Sequence, residues 1–259
     1  MGKVDTILQG DVIERLQDIE DNTIQCVVTS PPYWGLRDYG EDNQLGLEET
    51  PEEYVENMVN VFREVRRVLK DDGTLWLNLG DTYSAQRWTK KGMDRTEAQP
   101  MNNMRDDWRA IAPTKKSGLP DKNLVGIPWR VAFALQQDGW YLRQDIIWHK
   151  PNPMPESVSD RCTKSHEYIF LLTKSANYYY DAESIKEKTL TYDNTNRDRE
   201  TTRLNNTPGR TRMEGLKTNN YEKRNKRSVW KINTKPYKEA HFAVFPEKLP
   251  ELCIKAGSK

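Results

Sequence analysis

Hydrophobic residues change their spacing several times along this chain, and each change marks an expected strand or helix. The mostly apolar run at residues 24–28 predicts a buried strand, because short apolar runs without strict alternation are typical of parallel sheets. After Thr50, apolar residues recur every three or four positions, which predicts an amphipathic helix that ends at Gly73. The same reasoning predicts strands at 74–79, 141–148 and 167–172 and a helix that begins at Pro128. Strands and helices in this order indicate an α/β fold.

The start of the first long helix carries a capping signal. Thr50 can cap the first turn, Pro51 suits the first helical position, and Glu53 completes a capping box. The apolar stripe that follows consists of Tyr54, Met58, Phe62, Val65 and Leu69. No internal repeat is visible in the sequence.

Length and composition fit a domain that resides in the cytoplasm. At 259 residues the chain can bury one good core. It has no apolar stretch long enough to cross a bilayer and no signal-peptide pattern at its N-terminus, so we expect no membrane partner. The odd number of cysteines, Cys26, Cys162 and Cys253, indicates free thiols in a reducing compartment. The three histidines are far apart and lack metal-ligand spacing, so we expect no metal.

Basic residues are concentrated in one segment, although the formal net charge of the chain is only +1. Residues 186–231 contain 13 Lys and Arg residues against 6 Asp and Glu residues, together with many Asn and Thr. Basic side chains among polar hydrogen-bonding groups suit a phosphate backbone, which makes the segment a candidate for DNA binding. The candidate residues are Arg197, Arg199, Arg203, Arg210, Arg212, Arg224, Lys226 and Arg227. The same composition is also common in solvated, partly disordered insertions.

The segment most informative about chemistry is Thr-Ser-Pro-Pro-Tyr-Trp-Gly at residues 29–35. It follows the predicted strand at 24–28 and so lies at a carboxyl end, where open α/β sheets bind ligands. Two consecutive prolines restrict φ and remove two backbone donors, which leaves the carbonyls before and between them free to accept hydrogen bonds. With the ring of Tyr33, the loop offers acceptors for an exocyclic amine and a flat face for a base. Taken alone, the tetrapeptide fits a rigid proline turn around a core tyrosine equally well.

The same segment resembles the catalytic motif of the S-adenosylmethionine-dependent amino-methyltransferases that modify adenine N6 or cytosine N4 in DNA. Further segments are similar to later motifs of that family and occur in the family's order: residues 74–83, 127–130, 138–140, 145–153 and 164–174. A chance proline turn would not bring these segments with it. The resemblance implies an α/β fold with a Rossmann-like methyltransferase sheet, circularly permuted so that the catalytic motif comes first. It also implies a basic target-recognition insertion.

The resemblance implies that Ser30, Pro31, Pro32 and Tyr33 carry the chemistry. An exocyclic amine is a poor nucleophile, because its lone pair is delocalised into the ring. Acceptors at Ser30 and the Pro31 carbonyl would bind its hydrogens as charge develops, and Tyr33 would stack on the flipped base. In the family, serine at the first motif position is mostly associated with cytosine N4, which is therefore the expected target, with adenine N6 as the alternative. Methylation of cytosine C5 is not expected, since it needs a thiolate nucleophile and the motif has a serine.

The cofactor implied by the resemblance is S-adenosylmethionine. Residues expected to border it are Asp11, Phe242, Phe245, Pro246 and Leu249. Residues 7–11 resemble the family strand whose acidic residue approaches the adenosine. The glycine-rich turn that approaches the methionine carboxylate in the family has no Gly-x-Gly counterpart in these 259 residues. We therefore expect an incomplete cofactor site and sheet, with little activity unless a continuing segment or a second chain supplies the turn.

Three regions are expected along the chain: a catalytic α/β core at 1–185 with a polar insertion at 84–123, a basic target-recognition segment at 186–235, and the start of the cofactor-binding region at 236–259. The expected partner is double-stranded DNA. An alternative from another class is a catalytically idle DNA-binding or modification subunit that kept the fold. Methylation of RNA or protein amines is a weaker third possibility.

Overall fold

The computed structural model of the chain describes residues 6–41, 43–84, 117–188, 223–235 and 244–259. Within these ranges the helices are α1 (Val12–Gln17), α2 (Pro51–Val68), α3 (Ile127–Gln137) and α4 (Lys248–Gly257). The strands are β1 (Ile24–Thr29), β2 (Leu69–Leu79), β3 (Tyr141–His149), β4 (His166–Thr173), β5 (Glu187–Lys188), β6 (Lys223–Arg224) and β7 (Val229–Lys231). Among the helices in these ranges, none combines the length and the apolar character needed to span a bilayer.

One mixed sheet of five strands organises the described residues, in the order β1-β2-β4-β3-β7. β1 is parallel to β2 and β3 is parallel to β7, whereas β4 is antiparallel to both of its neighbours. The strands predicted at 24–28, 141–148 and 167–172 are confirmed to within one residue at each end. β7 lies in the predicted basic segment, so the end of that segment is part of the main sheet.

Successive residues of the central strands point to opposite faces of the sheet and so build two cores. On one face, Leu75 and Leu77 of β2 pack with the apolar stripe of α2 and with α3. On the other face, Trp76 of β2 packs with Trp230 of β7 and with buried residues of α4, such as Leu252. Helices therefore cover both faces of the sheet, as the α/β pattern predicts.

The long helix α2 starts where the sequence predicts and ends earlier. Thr50 Oγ1 accepts a hydrogen bond from the Glu53 backbone N–H at 3.2 Å, which confirms the cap. The helix ends at Val68 instead of Gly73, and the chain passes directly into β2. Gly73 serves close packing, because a Cβ there would lie 2.7 Å from Leu69 Cγ and 3.0 Å from the backbone oxygen of the neighbouring strand. In the sequence, a glycine that is required for close packing between strands cannot be distinguished from one that ends a helix.

Residues 6–11 do not form the strand that the family resemblance predicts. The Ile7 side chain is 94% exposed. Asp11 Oδ1 instead caps α1, accepting hydrogen bonds from the backbone N–H groups of Ile13 and Glu14 at 2.9 and 3.2 Å. A strand needs a neighbour that pairs with its backbone groups, and within the described ranges no strand pairs with residues 6–11.

Candidate active site

The 30–33 loop lies at one edge of the sheet, beside the end of β2. It directly follows β1, and the parallel register of β1 on β2 places Ser30 next to Asn78. β4 runs antiparallel to β2 and so begins at the same edge, with Glu167 as its second residue. The fold thus collects Ser30, Asn78 and Glu167 from segments that are far apart in the sequence. This edge is where α/β sheets bind ligands.

A hydrogen-bond network joins these residues through the Tyr33 hydroxyl. Ser30 Oγ donates to Tyr33 Oη at 3.1 Å, and Tyr33 Oη donates to Glu167 Oε2 at 2.8 Å. Asn78 Nδ2 donates to the same Glu167 oxygen at 2.8 Å and also to Tyr33 Oη. Lys150, which follows β3, forms an ion pair with the second oxygen, Glu167 Oε1. The network therefore fixes the Ser30 hydroxyl relative to β1, β2 and β4.

The ion pair of Lys150 and Glu167 is largely shielded from water. The two side chains are only 20% and 16% exposed. Lys150 Nζ also lies 4.4 Å from the centre of the Trp148 ring, a distance at which a cation is attracted to the aromatic face. Shielded charges interact more strongly than charges on the surface, so Lys150 holds Glu167 firmly in the network.

The Tyr33 ring lies between this network and Gly80. A Cβ at Gly80 would be 2.6 Å from Tyr33 Cε2, so only glycine allows the ring to lie here. Burial raises the pKa of the Tyr33 hydroxyl well above its ordinary value, and the negative charge of Glu167 raises it further. The hydroxyl therefore stays protonated at physiological pH and can donate to Glu167.

The prolines of the loop are fixed from α2. Tyr54 Oη donates to the Pro32 carbonyl at 2.9 Å. Burial raises the pKa of Tyr54, with the charge of Glu48 as a smaller cause, so this donor is also permanent. Within the described residues no group donates a hydrogen bond to the Pro31 carbonyl, which remains an open acceptor, as the sequence predicts.

Asn78 has a second acceptor atom without a partner. Its Nδ2 group takes part in the network, whereas its Oδ1 atom is shielded from solvent and has no hydrogen-bond partner among the described residues. A buried polar atom of this kind costs free energy unless a ligand satisfies it. The combination of Asn78 Oδ1 and Ser30 Oγ therefore suits a ligand with an N–H donor.

Lys164 adds a positive charge close to this edge. Its Nζ atom is buried and makes no hydrogen bond within the described ranges. Burial lowers the pKa of Lys164. The negative charges of Asp81 and Glu167 raise it and so partly offset the effect of burial. Asp81 itself is engaged in capping α3, because its Oδ1 accepts from the N–H groups of Gly126 and Ile127 at 2.9 and 3.0 Å. Lys164 is thus a buried cation near the carboxylates of Asp81 and Glu167.

Comparison with known proteins decides the family. The family model described as DNA methylase matches residues 24–259. The chain belongs to the DNA methylase family. It is an S-adenosylmethionine-dependent amino-methyltransferase that acts on DNA, as the motif segments of the sequence predict.

Two relatives align along almost the whole of this methylase. One is the Type II methyltransferase M.SmaI of Serratia marcescens, 47% identical over 255 residues that cover 98% of this chain and 75% of the relative. The other is the Type II methyltransferase M.Cfr9I of Citrobacter freundii, 45% identical over 254 residues that cover 98% and 73%. Among solved structures, the PvuII DNA methyltransferase (cytosine-N4-specific) matches with a TM-score of 0.59 and 18% identity over 96% of this chain and 69% of that one. The structural match confirms the Rossmann-like methyltransferase fold.

The residues expected to border the cofactor lie on α1 and near the start of α4. Asp11 is exposed, and its second carboxylate oxygen makes no hydrogen bond to a described residue. Phe245 is half-buried and Pro246 is buried, whereas Leu249 is fully buried in the core under α4. Phe242 lies outside the described residues. An open carboxylate oxygen suits a ribose hydroxyl and a half-buried aromatic ring suits an adenine base. Asp11, however, precedes α1, which packs on the α2 side of the sheet, whereas Phe245 packs on the α4 side. Their assignment to the cofactor stays a prediction.

The described part of the basic segment forms a cluster around one carboxylate. The side-chain nitrogens of Arg224, Lys226 and Arg227 lie 2.9, 3.8 and 3.7 Å from Glu187 oxygens. Basic side chains gathered in this way are compatible with binding a phosphate backbone. DNA contact by this cluster stays a prediction. The predicted residues Arg197, Arg199, Arg203, Arg210 and Arg212 lie outside the described residues.

The sequence pattern assigns no role to Asn78, Lys150 or Glu167, although each lies in a segment that is similar to the family. The available signal is their position, since each is a polar residue at or next to the end of a mostly apolar strand. The order of strands in the sheet determines which strand ends lie next to each other. That order cannot be predicted from the local spacing of apolar residues.

Proposed function

We propose that this methylase transfers a methyl group from S-adenosylmethionine to the N4 amine of a cytosine that is flipped out of double-stranded DNA. The observation that carries the proposal is the pair of acceptors at the sheet edge, Ser30 Oγ and the buried, unpartnered Asn78 Oδ1. An exocyclic amine has two hydrogens, so these acceptors can bind one each. The Pro31 carbonyl is a further open acceptor on the same loop.

The two acceptors prepare the amine for attack. Hydrogen bonds to both hydrogens favour a pyramidal nitrogen, whose lone pair is no longer delocalised into the ring, and they strengthen as positive charge develops. Ser30 can accept from the amine while its own hydrogen remains directed at Tyr33. S-adenosylmethionine, when bound, supplies the electrophilic methyl group. Orientation of the amine by this chain then supplies much of the rate acceleration.

The choice of cytosine N4 over adenine N6 is supported by the residue at the start of the motif. Serine at the position of Ser30 is mostly associated with cytosine N4 in the family that the motif resembles. The solved protein with the similar fold is described as cytosine-N4-specific. Adenine N6 is the second candidate, because a hydroxyl can accept from either amine.

Methylation of cytosine C5 is disfavoured by the position of the cysteine nearest to the motif. Cys26 lies within β1 and packs on the α4 side of the sheet. Burial raises the pKa of its thiol, which disfavours the thiolate that C5 chemistry requires.

We further infer that the methylation is site-specific and belongs to a type II restriction–modification setting. The relatives that cover most of this chain are named Type II methyltransferases. The proposed compartment is the cytoplasm, which agrees with the three free cysteines of the described residues. We leave a second chain out of the proposal, because no contact among the described residues requires one.

Transfer of labelled methyl groups to unmethylated duplex DNA tests the proposed site. Ser30→Ala should reduce the rate by about a hundredfold, the usual effect of removing one hydrogen-bonding group that stabilises developing charge. Ser175→Ala is the matched control, because that hydroxyl bonds only to backbone carbonyls outside the network, at 2.6 and 3.3 Å. An unchanged rate for Ser30→Ala would refute the assignment of this residue to the amine.

A further inference from the structure

We propose that Ser30, Tyr33 and Glu167 form a path for the proton that the methylated amine must release, with Glu167 as its final acceptor. The inference rests on the proposed function, in which the amine lies against Ser30. It assigns to Glu167 a part in the reaction that goes beyond holding the loop in place.

The reaction requires a proton acceptor. The amine nitrogen attacks the methyl carbon of the sulfonium, so that the C–N bond forms while the C–S bond breaks and its electron pair stays on sulfur. As this bond forms, the nitrogen gains positive charge and has one hydrogen too many, and the proton leaves in the same step. Ser30 Oγ takes this proton and gives its own to Tyr33 Oη, which gives its own to Glu167 Oε2. Serine and tyrosine end neutral, and Glu167 ends as a carboxylic acid that can release the proton to water.

The directions of the hydrogen bonds fit this sequence of transfers. Ser30 Oγ donates to Tyr33 Oη at 3.1 Å, and Tyr33 Oη donates to Glu167 Oε2 at 2.8 Å. The Tyr33 oxygen also accepts from Asn78 Nδ2, so its two acceptor positions are filled and its hydrogen is committed to the carboxylate. Every hydroxyl in the path therefore points towards Glu167 before the reaction starts.

A carboxylate is a sufficient acceptor for this proton. The protonated product amine is strongly acidic, because losing the proton restores delocalisation of the nitrogen lone pair into the ring. Tyr33 does not need to ionise: burial raises the pKa of its hydroxyl well above the ordinary value, so it gives up its proton only as it receives another. A path through neutral hydroxyls thus connects an acidic amine to an anionic carboxylate.

Several charged groups face Glu167 and define how the path should respond to pH. Lys150 pairs with Oε1 from the end of β3, and Lys164 lies nearby in the segment before β4. His166, the neighbouring residue, also senses the charge of Glu167, and burial lowers its pKa. Because His166 titrates too, a fall in rate at acid pH must be assigned by substitution.

The test is the single-turnover rate of methyl transfer by the full chain, measured as a function of pH with saturating labelled S-adenosylmethionine and duplex DNA. The unsubstituted chain should lose rate as the pH is lowered, because a path that ends on a carboxyl group needs that group in its ionised form. Glu167→Gln should be slower by roughly a hundredfold, the lower range for general base catalysis, and should lack this acid-side loss. Tyr33→Phe should behave in the same way, and the double variant should be no slower than either single variant.

His166→Gln is the matched control and should keep the acid-side loss of rate. Melting temperature and DNA binding report whether each variant is folded. If Glu167→Gln does not fold, Tyr33→Phe decides alone, because it breaks the path while keeping the ring.

A folded Glu167→Gln or Tyr33→Phe variant that retains the acid-side loss of the unsubstituted chain would overturn the proton path and leave Glu167 as a group that only positions Tyr33. Loss of the acid limb in His166→Gln would also overturn it. Transfer of the methyl group to a position other than an exocyclic base amine would instead refute the proposed function, and the path with it.

Discussion

Replacing Gly80 by alanine should displace the Tyr33 ring and slow methyl transfer. The added Cβ would lie 2.6 Å from Tyr33 Cε2 and 2.9 Å from Cδ2, whereas carbon atoms in ordinary contact are about 3.6 Å apart. The ring must therefore move by about 1 Å, which would stretch the 2.8 Å hydrogen bond to Glu167 beyond the normal range. A displacement of about 1 Å in an active site can cost about a hundredfold in rate. We expect a loss of that size in the single-turnover rate of Gly80→Ala.

The matched control is Gly73→Ala, within β2 and seven residues before Gly80. Its added Cβ would lie 2.7 Å from Leu69 Cγ and 2.9 Å from the Lys70 carbonyl, a similar clash remote from the network. Both variants should lose about 1–3 kcal/mol of stability through overpacking, measured by denaturant unfolding. Only Gly80→Ala should lose methylation rate beyond what its folded fraction explains. Equal rates for the two folded variants would refute the claim that the position of Tyr33 controls the reaction.

Three further predictions concern other parts of the molecule. Tyr33→Ala removes a stacking face worth about 1–3 kcal/mol per base, so the rate of methylation should fall roughly tenfold or more. Nonspecific DNA binding should survive, because phosphate contacts lie elsewhere, and an active variant would contradict the assignment of Tyr33 to the base pocket. Neutralising Arg224, Lys226 and Arg227 together should reduce the slope of log affinity against log salt by about three if all contact phosphates, and an unchanged slope would show a solvated cluster instead. Hydrogen bonds from two lysines lower the pKa of Glu251 in α4 from 4.5 to about 2. Its stabilising effect is therefore present above pH 4.5 and is lost as the pH falls towards 2, where thermal melts of the chain and of Glu251→Gln should converge.

The parts of the fold that depend on residues close together in the sequence could be predicted. The cap at Thr50, the apolar stripe of α2 and three of the strands follow from periodicity and local side-chain chemistry, and the structure confirms them. The 30–33 loop belongs to the same class, because two prolines after an apolar strand define its shape and its open carbonyl locally.

The network around Glu167 could not be predicted, because it depends on contacts between distant segments. Tyr33 and Glu167 are 134 residues apart and meet only because β4 is inserted next to β2 in the sheet. The same limitation explains why two predictions are wrong: the end of the long helix at Gly73 and the strand at residues 7–11. Gly73 is required by packing against the neighbouring strand, and residues 7–11, which resemble a strand of the family, have no described strand that pairs with them.

The identity of the methylated nucleoside tests the central claim most directly. Duplex DNA treated with the full chain and S-adenosylmethionine would be digested to nucleosides and compared by mass spectrometry with the three known methylated products. We predict N4-methyldeoxycytidine and neither of the other two. N6-methyldeoxyadenosine would contradict the assignment of the base, and 5-methyldeoxycytidine would contradict methyl transfer to an amine held by Ser30 and Asn78.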